Sequence, residues 1–271
     1  MIFPGWQVGL DIQMEGVRAV AVQRYRQGWQ LRHWWHLPFP TEVFTNNILS
    51  QPAVLLEVLD NWRKQLPYRS RLGVSFPAQR TFQRKIPIPD ENLCEAVHEN
   101  YVAYTACQQL QMPVSQLCCD YLEQGDALDV TAARQSDINT LLSCLKSAQL
   151  FPNTVTPCDK VLCSLPVGCY SQTSHYLIHE EPEYWLWASC NGTKTSGWQD
   201  KRQSPDLASL CQWLDTAAEN IAFSTACMGD KPSLVVQNLD VWQLLTRLYP
   251  PIPQAKGRYT IALGLALGGD S

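Results

Sequence analysis

Apolar residues alternate with other residues along the start of the chain, which predicts β-strands at residues 6–12, 17–22 and 29–37. Leucines then recur at helical spacing over residues 55–66, and Pro67 ends that helix. The pattern next predicts a strand at 72–76, a strand at 81–88, a helix over 90–104, strands at 117–123 and 127–133, a helix over 138–145 capped by Ser136, and a strand at 154–156.

The remainder of the chain repeats this alternation of strands and helices. Strands are predicted at 175–178, 184–190, 194–198 and 234–236. Helices are predicted after a Ser204-Pro205 cap, from Asp240 to Leu248, and over 259–268. Two halves that each open with strands and continue with helices indicate an α/β protein with two lobes.

Composition narrows the function classes. The chain has 271 residues, of which 45% are hydrophobic, and its 21 basic and 25 acidic residues give a net charge of −4. This charge excludes a protein that holds nucleic acid by bulk positive charge. No run approaches the ~18 apolar residues of a membrane span, and the start lacks the pattern of a signal peptide. We therefore expect a cytoplasmic protein.

Metal chemistry is not expected. The chain has eleven cysteines but no C-x-x-C motif, so we interpret them as reduced, small core residues. His33 and His36 are three apart in a predicted strand and point to opposite faces. The acidic pair Glu180-Glu181 ends a predicted strand, and we interpret it as a solvated turn.

A basic cluster stands out in this acidic chain. It consists of Arg63, Lys64, Arg69, Arg71, Arg80, Arg84 and Lys85. Such a cluster is a solvated face, a local patch for the acidic side of a partner or for lipid headgroups, or a contact with DNA, in that order of preference.

Several short motifs, in order, resemble the PilM family, cytoplasmic pilus-assembly relatives of FtsA. The motifs are Gly9-Leu10-Asp11-Ile12 with Val17-Arg18-Ala19-Val20, Lys85-Ile86-Pro87-Ile88-Pro89, Asp120-Tyr121 with Val130-Thr131-Ala132-Ala133-Arg134, and Ala262-Leu263-Gly264-Leu265-Ala266-Leu267. Trp-rich details such as Trp34-Trp35 resemble the HofM-like branch in enterobacteria, which is associated with DNA utilisation.

The resemblance implies an actin-like (ribonuclease H-like) two-lobe fold with an inserted small α+β subdomain. Residues 1–78 and 155–170 would form the first lobe, and residues 79–154 the insertion. Residues 171–255 would form a reduced second lobe, and a C-terminal helix within 256–271 would pack on the first lobe.

Actin-like ATPases hold nucleotide between their lobes, and the resemblance places a degenerate phosphate loop at Asp11, Gln13 and Gly16. Gln13 replaces the usual glycine, and Glu15 has the wrong charge for binding phosphate. The stretches 176–182 and 235–240 lack the expected glycines. We predict no catalytic residues and no required cofactor. An ATP-binding, actin-like assembly ATPase with unusual loops and an unrelated interaction domain remain the alternatives.

The resemblance also implies a partner. PilM-like proteins bind the cytoplasmic N-terminal tail of a PilN-like inner-membrane protein, within a pilus and secretin assembly complex. The tail would lie in a groove between the first lobe and the insertion, and our candidates for that groove are Phe76, Arg80, Phe82 and Arg84. We expect no direct contact with nucleic acid, and a peripheral association with the inner membrane through the partner.

Overall fold

The computed structural model describes residues 5–26, 28–88, 95–125, 127–190, 195–228 and 234–268. The strands are β1 (Trp6–Gln13), β2 (Gly16–Tyr25), β3 (Gly28–Pro38), β4 (Phe44–Thr45), β5 (Ile48–Leu49), β6 (Ser70–Phe76), β7 (Thr81–Pro87), β8 (Leu117–Gln124), β9 (Ala127–Arg134), β10 (Thr154–Pro157), β11 (Tyr176–Glu180), β12 (Tyr184–Ser189), β13 (Ser196–Asp200), β14 (Ile221–Thr225), β15 (Gln237–Asn238) and β16 (Leu245–Arg247). The α-helices are α1 (Pro52–Arg63), α2 (Glu95–Leu110), α3 (Gln135–Ser147), α4 (Cys158–Cys163), α5 (Leu207–Trp213) and α6 (Thr260–Leu267). The predicted start of the second helix, at residue 90, lies outside the described residues.

Three larger sheets and the two-stranded β4–β5 hairpin organise the described part of the chain. A six-stranded sheet has the order β10-β6-β1-β2-β3-β16, a five-stranded sheet the order β13-β12-β11-β14-β15, and a three-stranded sheet the order β7-β9-β8. We call the six-stranded sheet with α1, α4 and α6 the first lobe, and the five-stranded sheet with α5 the second lobe. The three-stranded sheet with α2 and α3 is the inserted subdomain.

Strands β1 and β2 are buried on both faces, as expected for a sheet between two helical layers. One face packs against α1 and α3. The other face meets α6 so closely that a Cβ on Gly9 would lie 1.8 Å from the carbonyl oxygen of Ala262. Helices α4 and α6 share one core with the inner face of the second lobe, whose outer face is covered by α5. The lobes are therefore joined through a common hydrophobic layer.

Several sequence predictions of local structure are wrong. The predicted helix after Asp240 is a single 3₁₀ turn, which Asp240 does cap, and the chain then enters β16 beside β3. The cap of α5 is Asp206, which forms a capping box with Ser209, and not Ser204. Helix α3 begins at Gln135, one residue before its predicted cap. The sequence patterns missed the β4–β5 hairpin, α4 and β14.

The interpretation of the cysteines as core residues is right for five of the ten described ones, which are buried: Cys107, Cys144, Cys158, Cys169 and Cys211. It is wrong for Cys118, which is exposed, and the other four are partly exposed. Within the described ranges, no three His, Cys, Asp or Glu side chains are grouped so that they could hold a metal ion. Among those same residues, no helix combines the length and apolar character that a bilayer crossing requires.

Candidate functional site: an ion-paired cleft and an apolar groove

The predicted phosphate loop lies at the cleft between the two lobes. In the β1–β2 hairpin, Asp11 pairs with Arg18 and Gln13 pairs with Gly16. Directly paired residues on antiparallel strands point to the same face of a sheet. The hairpin therefore directs Asp11, Gln13 and Arg18 together toward the second lobe.

Arg18 crosses the cleft as a buried ion pair. Its side chain is 1% exposed, and its two terminal nitrogens donate to both carboxylate oxygens of Glu181, at 2.8 and 3.2 Å. It also donates to Glu15 at 2.7 Å and to the backbone oxygen of Arg258 at 3.2 Å. One cation is thus shared by carboxylates from both lobes, in the forked geometry that guanidinium groups favour.

Glu181 corrects the sequence interpretation of Glu180-Glu181 as a solvated turn. Glu181 is 1% exposed, and Glu180 is engaged by Lys201 at 2.7 Å. A strand end that carries two carboxylates resembles a surface turn in the sequence. Here Glu181 is buried because Arg18 meets it from 163 positions away, which no local pattern reveals.

Asp11 and Gln13 are occupied within the same buried network. The amide nitrogen of Gln13 donates to the two carboxylate oxygens of Asp11 at 3.0 and 3.1 Å, and Tyr184 donates to the amide oxygen of Gln13 at 2.9 Å. Complete burial raises the pKa of Asp11, although Arg18 opposes this rise. Sequence reasoning placed Asp11 and Gln13 at the cleft but missed the side chains that bind them.

His179 extends the network on the second lobe. One ring nitrogen lies 2.8 Å from the hydroxyl of Ser224, and the other lies 3.1 Å from a carboxylate oxygen of Glu181. His179 therefore orients the carboxylate that Arg18 binds. The side chain is fully buried, with no exposed area.

Close packing against β3 explains why position 16 is a glycine. A Cβ at this position would lie 2.5 Å from the carbonyl oxygen of Leu37 and 2.8 Å from the Cα of Pro38. Glycine is required here by the neighbouring strand β3, independently of any phosphate.

The mouth of the cleft is acidic. It encloses about 1100 Å³, including its open side, and its lining contains Glu15, Glu42, Glu181 and Glu183 around Arg18. Four carboxylates around one cation that is already paired disfavour a polyphosphate by charge.

A second concave region, which we call the groove, lies between the first lobe and α3 of the inserted subdomain. Its space, including its open side, is about 510 Å³, and it is lined by Ile12, Phe44, Asn47, Ile48, Leu49, Leu55, Ser75, Phe76, Pro77, Arg80, Asp137, Thr140 and Leu141. Most of these side chains are apolar. The structure thus has a hydrophobic groove where the lobe and the insertion meet.

The β4–β5 hairpin forms one wall of the groove. Asn46 and Asn47, at its turn, both have positive φ angles, of 51° and 59°. Two consecutive residues of this kind form the type I′ turn that suits a two-residue hairpin. The hairpin presents Ile48, which is 44% exposed, at the rim of the groove.

Arg80 and Asp137 supply charge to the otherwise apolar groove. The side chain of Arg80 donates to a carboxylate oxygen of Asp137 at 2.9 Å. This pair joins the turn after β6 to the first helical turn of α3. It provides both a donor group and an acceptor group beside the apolar surface.

The structure brings together two of the four predicted groove residues. Phe76 and Arg80 line the groove. Phe82 and Arg84 do not, because they lie on β7 opposite Ala132 and Val130, on the side of the small sheet that packs against α2. The apolar hairpin was the part that sequence reasoning missed, although Asn46-Asn47 is a turn signal.

A small pocket lies between the groove and the cleft. Its space, including its open side, is about 300 Å³, and its lining includes Ile12 and Phe44 from the groove together with Gln13 and Tyr184 from the cleft. Cys158, at the start of α4, also lines it. The two regions are therefore neighbours that differ in chemistry.

Comparison with known proteins identifies the family. Residues 9–156 match the family model of the type IV pilus assembly protein PilM. The chain is 30% identical to the DNA utilization protein HofM of Escherichia coli (strain K12), over 273 positions that cover 99% of each protein.

Solved structures agree on the fold. A PilM–PilN type IV pilus biogenesis complex contains a chain that superposes with a TM-score of 0.73, at 15% identity, covering 96% of this chain and 97% of that one. The cytoplasmic domain of EpsL, from the type II secretion system of Vibrio cholerae, gives a TM-score of 0.58 at 14% identity, over 88% of this chain and 92% of that one. The chain has the actin-like fold, and it belongs to the PilM family of type IV pilus assembly proteins.

Proposed function

We propose that this protein is a scaffold of a type IV pilus-like assembly or DNA-uptake machine, at the cytoplasmic face of the inner membrane. It binds the cytoplasmic N-terminal tail of a PilN-like inner-membrane protein in the groove. The observation that carries the proposal is the apolar groove itself. All of its lining residues lie within the stretch, 9–156, that matches the family model.

The groove has the chemistry that recognition of an extended peptide needs. Its apolar lining can bury alternate side chains of a strand-like segment, and the charged pair Arg80–Asp137 can fix the direction of the peptide. A similar fold was solved as a PilM–PilN complex, which supports a PilN-like partner for this chain. A short tail loses conformational freedom when it binds, so we expect an affinity of about micromolar, near −8 kcal/mol.

The cleft is proposed to perform no ATP turnover. Arg18 is already engaged by Glu181 and Glu15, and Gln13 fills the position where a glycine would let the backbone approach a phosphate. The side chains at the phosphate position therefore do not fit a nucleoside triphosphate. The second candidate function, an ATP-binding assembly ATPase, is favoured only by Asp11, which this network already occupies.

Titration with the tail peptide of a PilN-like protein tests the scaffold proposal. Ile48→Glu puts a charge at the groove rim and should weaken binding by about tenfold or more. Val114→Glu is the matched control, because Val114 is 50% exposed on the insertion and outside the groove. Equal affinity of the two variants would refute this position of the groove, and no binding by the wild type would refute the partner.

Thermal unfolding with MgATP tests the second candidate. A ligand at about 100 times its Kd stabilises a protein by about 2.7 kcal/mol, so binding would be visible. We expect no shift and no phosphate release. Steady turnover that Asp11→Ala abolishes would favour the ATPase over the scaffold.

A further inference from the structure

The end of the six-stranded sheet opposite the β1–β2 hairpin has an unusual surface, which we call the basal edge. It comprises residues 23–26, 28–30, 61–72, 143–154 and 244–250, where β2, α1 and α3 end and β3, β6, β10 and β16 begin. Strand pairings such as Trp6 with Ser70, Arg24 with Trp29, and Leu245 with Trp29 align these ends along one side of the sheet. Six strands at a spacing of about 4.8 Å make this edge about 24 Å long.

The basal edge concentrates positive charge. It contains eight of the 21 basic residues and none of the 25 acidic residues of the chain, and the nearest acidic residue along α1 is Asp60. The other 13 basic residues (21 minus 8) share the rest of the chain with all 25 acidic ones. The segments that form the basal edge are therefore strongly basic, and their cations are Arg24, Arg26, Arg63, Lys64, Arg69, Arg71, Lys146 and Arg247.

Several of these cations contact neutral groups. Arg63 donates to the backbone oxygens of Gln149 and Leu66, and Lys64 donates to the side-chain oxygen of Asn61. Elsewhere on the edge, Arg247 and Arg26 lie over the ring of Tyr25, at 4.1 and 5.5 Å from its centroid. Among the described residues, these four cations have no carboxylate partner, so their charge is available to an external anion.

Two exposed aromatic rings stand among the cations. Tyr68 is 91% exposed and Phe151 is 69% exposed, and each lies in a short connection from a helix to a strand, beside a proline. The bond from Arg63 to the backbone of Gln149 ties the two connections together. Tyr249, which is 78% exposed, adds a third ring beside β16.

Helix dipoles do not account for the whole pattern. Arg63 and Lys146 lie in the last turns of α1 and α3, where a cation stabilises the helix. Arg69 and Arg247 lie outside helices, so they do not stabilise a helix end. The exposed ring of Phe151 carries no charge and cannot stabilise one either. The combination of basic and aromatic residues needs a different explanation.

We propose that the basal edge docks on an anionic phospholipid surface. Its Lys and Arg side chains contact lipid phosphates, while Tyr68 and Phe151 enter the headgroup region. Aromatic rings prefer that region, and basic clusters are attracted to anionic lipid. The contact adds to the proposed tail binding, because two linked weak contacts reinforce each other.

The geometry favours a lipid surface over nucleic acid. Proteins that bind single strands combine stacking rings with a positively charged groove that follows the backbone. At the basal edge the rings stand on separate connections along strand ends, and the groove and the cleft described above contain no basal residue. A row of exposed basic and aromatic side chains fits a broad lipid surface better than it fits a single strand of nucleic acid.

Co-sedimentation of the purified wild-type protein with vesicles tests the proposal without any partner. We expect binding to vesicles of phosphatidylcholine with phosphatidylglycerol, weaker binding to phosphatidylcholine alone, and loss of binding at high salt, where surface charges are screened. Equal binding to both kinds of vesicle, or to neither, would overturn the proposal. Tighter binding to DNA oligonucleotides than to the anionic vesicles would also overturn it and would assign the edge to nucleic acid.

Paired variants locate the contact. The double variant Arg69→Glu/Lys146→Glu should weaken binding to the anionic vesicles by about tenfold or more. The double variant Arg84→Glu/Lys85→Glu makes the same charge change at exposed cations on β7, outside the basal edge, and should bind nearly as the wild type does. Equal losses in both would mean that net charge, and not this edge, drives the binding.

A second pair of variants tests the contribution of the exposed aromatic rings to vesicle binding. Tyr68→Ser should weaken vesicle binding more than Tyr104→Ser, because Tyr104 is 59% exposed but lies on α2 of the inserted subdomain. Unchanged far-ultraviolet spectra and melting temperatures verify that each variant is folded. An equal effect of the two tyrosines would remove the aromatic part of the proposal. Peptide titration of the same variants tests tail binding separately.

Discussion

The cleft and the groove lie side by side, but they are built for opposite purposes. In the cleft, Arg18 donates to Glu181 and Tyr184 donates to Gln13 across the lobes, so most of their polar groups have internal partners. In the groove, the hairpin residue Ile48 presents apolar surface that the chain itself leaves exposed. An actin-like fold can therefore fill its nucleotide position with its own side chains and offer a different surface to a partner.

The cleft and the groove also differ in how they contribute to free energy: the cleft acts on folding and the groove on binding. A buried ion pair contributes little net stability over an apolar pair of the same shape, but removing one partner leaves a costly buried charge. An apolar groove stabilises nothing until a ligand covers it. Mutations in the cleft should therefore mainly change folding, and mutations in the groove should mainly change binding.

The largest expected effect follows from removing Arg18. Arg18→Met leaves Glu181 buried without its cation, and we expect the free energy of unfolding to fall by about 3–5 kcal/mol. The double variant Arg18→Met/Glu181→Leu removes both charges and should recover most of that loss. Urea unfolding of the wild type and of the single and double variants gives the coupling energy between the two side chains. A loss below about 1 kcal/mol in Arg18→Met would mean that water reaches the pair.

The corresponding experiment in the groove fills it with a larger side chain. Thr140 on α3 lines the groove, and Thr140→Trp should weaken tail binding by about tenfold or more, about 1.4 kcal/mol, with little change in unfolding. Asn139→Trp is the matched control, because the neighbouring residue is exposed and outside the groove. If Arg18→Met weakened the tail as much as Thr140→Trp does, the two regions would not be independent.

Local sequence patterns correctly predicted the elements whose structure does not depend on a distant strand. In β1 the apolar residues of one face pack into the core with α1, while the other face carries glycine and polar residues, and α1 buries one regular face, so both elements were predicted. The stretch from Asp240 to Leu248 has leucines at helical spacing, yet β16 forms there because β3 offers a strand edge. A pairing between residues more than 200 positions apart overrides the local pattern.

The candidate sites show the same division. The positions of Asp11 and Gln13 at the cleft followed from the family resemblance, which rests there on a hairpin that is local in sequence. The burial of Glu181 did not, because it depends on Arg18 in the other lobe. An arginine inside the apolar run Val17–Val22 was nevertheless a usable signal, since a buried arginine needs a carboxylate.

The pH dependence of stability should distinguish the two regions more finely. Burial by itself raises the pKa of Glu181, but Arg18 and His179 outweigh it, so its pKa lies below the ordinary value. Its contribution to stability is therefore present above the ordinary carboxyl pKa of about 4.3 and is lost as the pH falls through the lower, folded value. The difference in unfolding free energy between the wild type and Glu181→Gln should shrink as the pH is lowered through this range. Glu180→Gln is the control at the neighbouring, less buried position.

The smallest effect concerns Cys158, which lines the small pocket between the groove and the cleft. It is 2% exposed, and burial together with the nearby carboxylates raises its pKa well above the usual value, so its thiol should react slowly in the native protein. Cys118 is exposed and gives an internal reference. Labelling of the native protein with a thiol reagent, followed by peptide mass spectrometry, measures both rates, and all eleven cysteines should react once the protein is denatured without reductant. Because the Arg18–Glu181 pair joins the lobes beside this pocket, Arg18→Met should accelerate labelling of Cys158 and leave that of Cys118 unchanged. Equal labelling rates of the two cysteines in the wild type would show that the cleft opens without any mutation, and its contrast with the groove would then be one of charge alone.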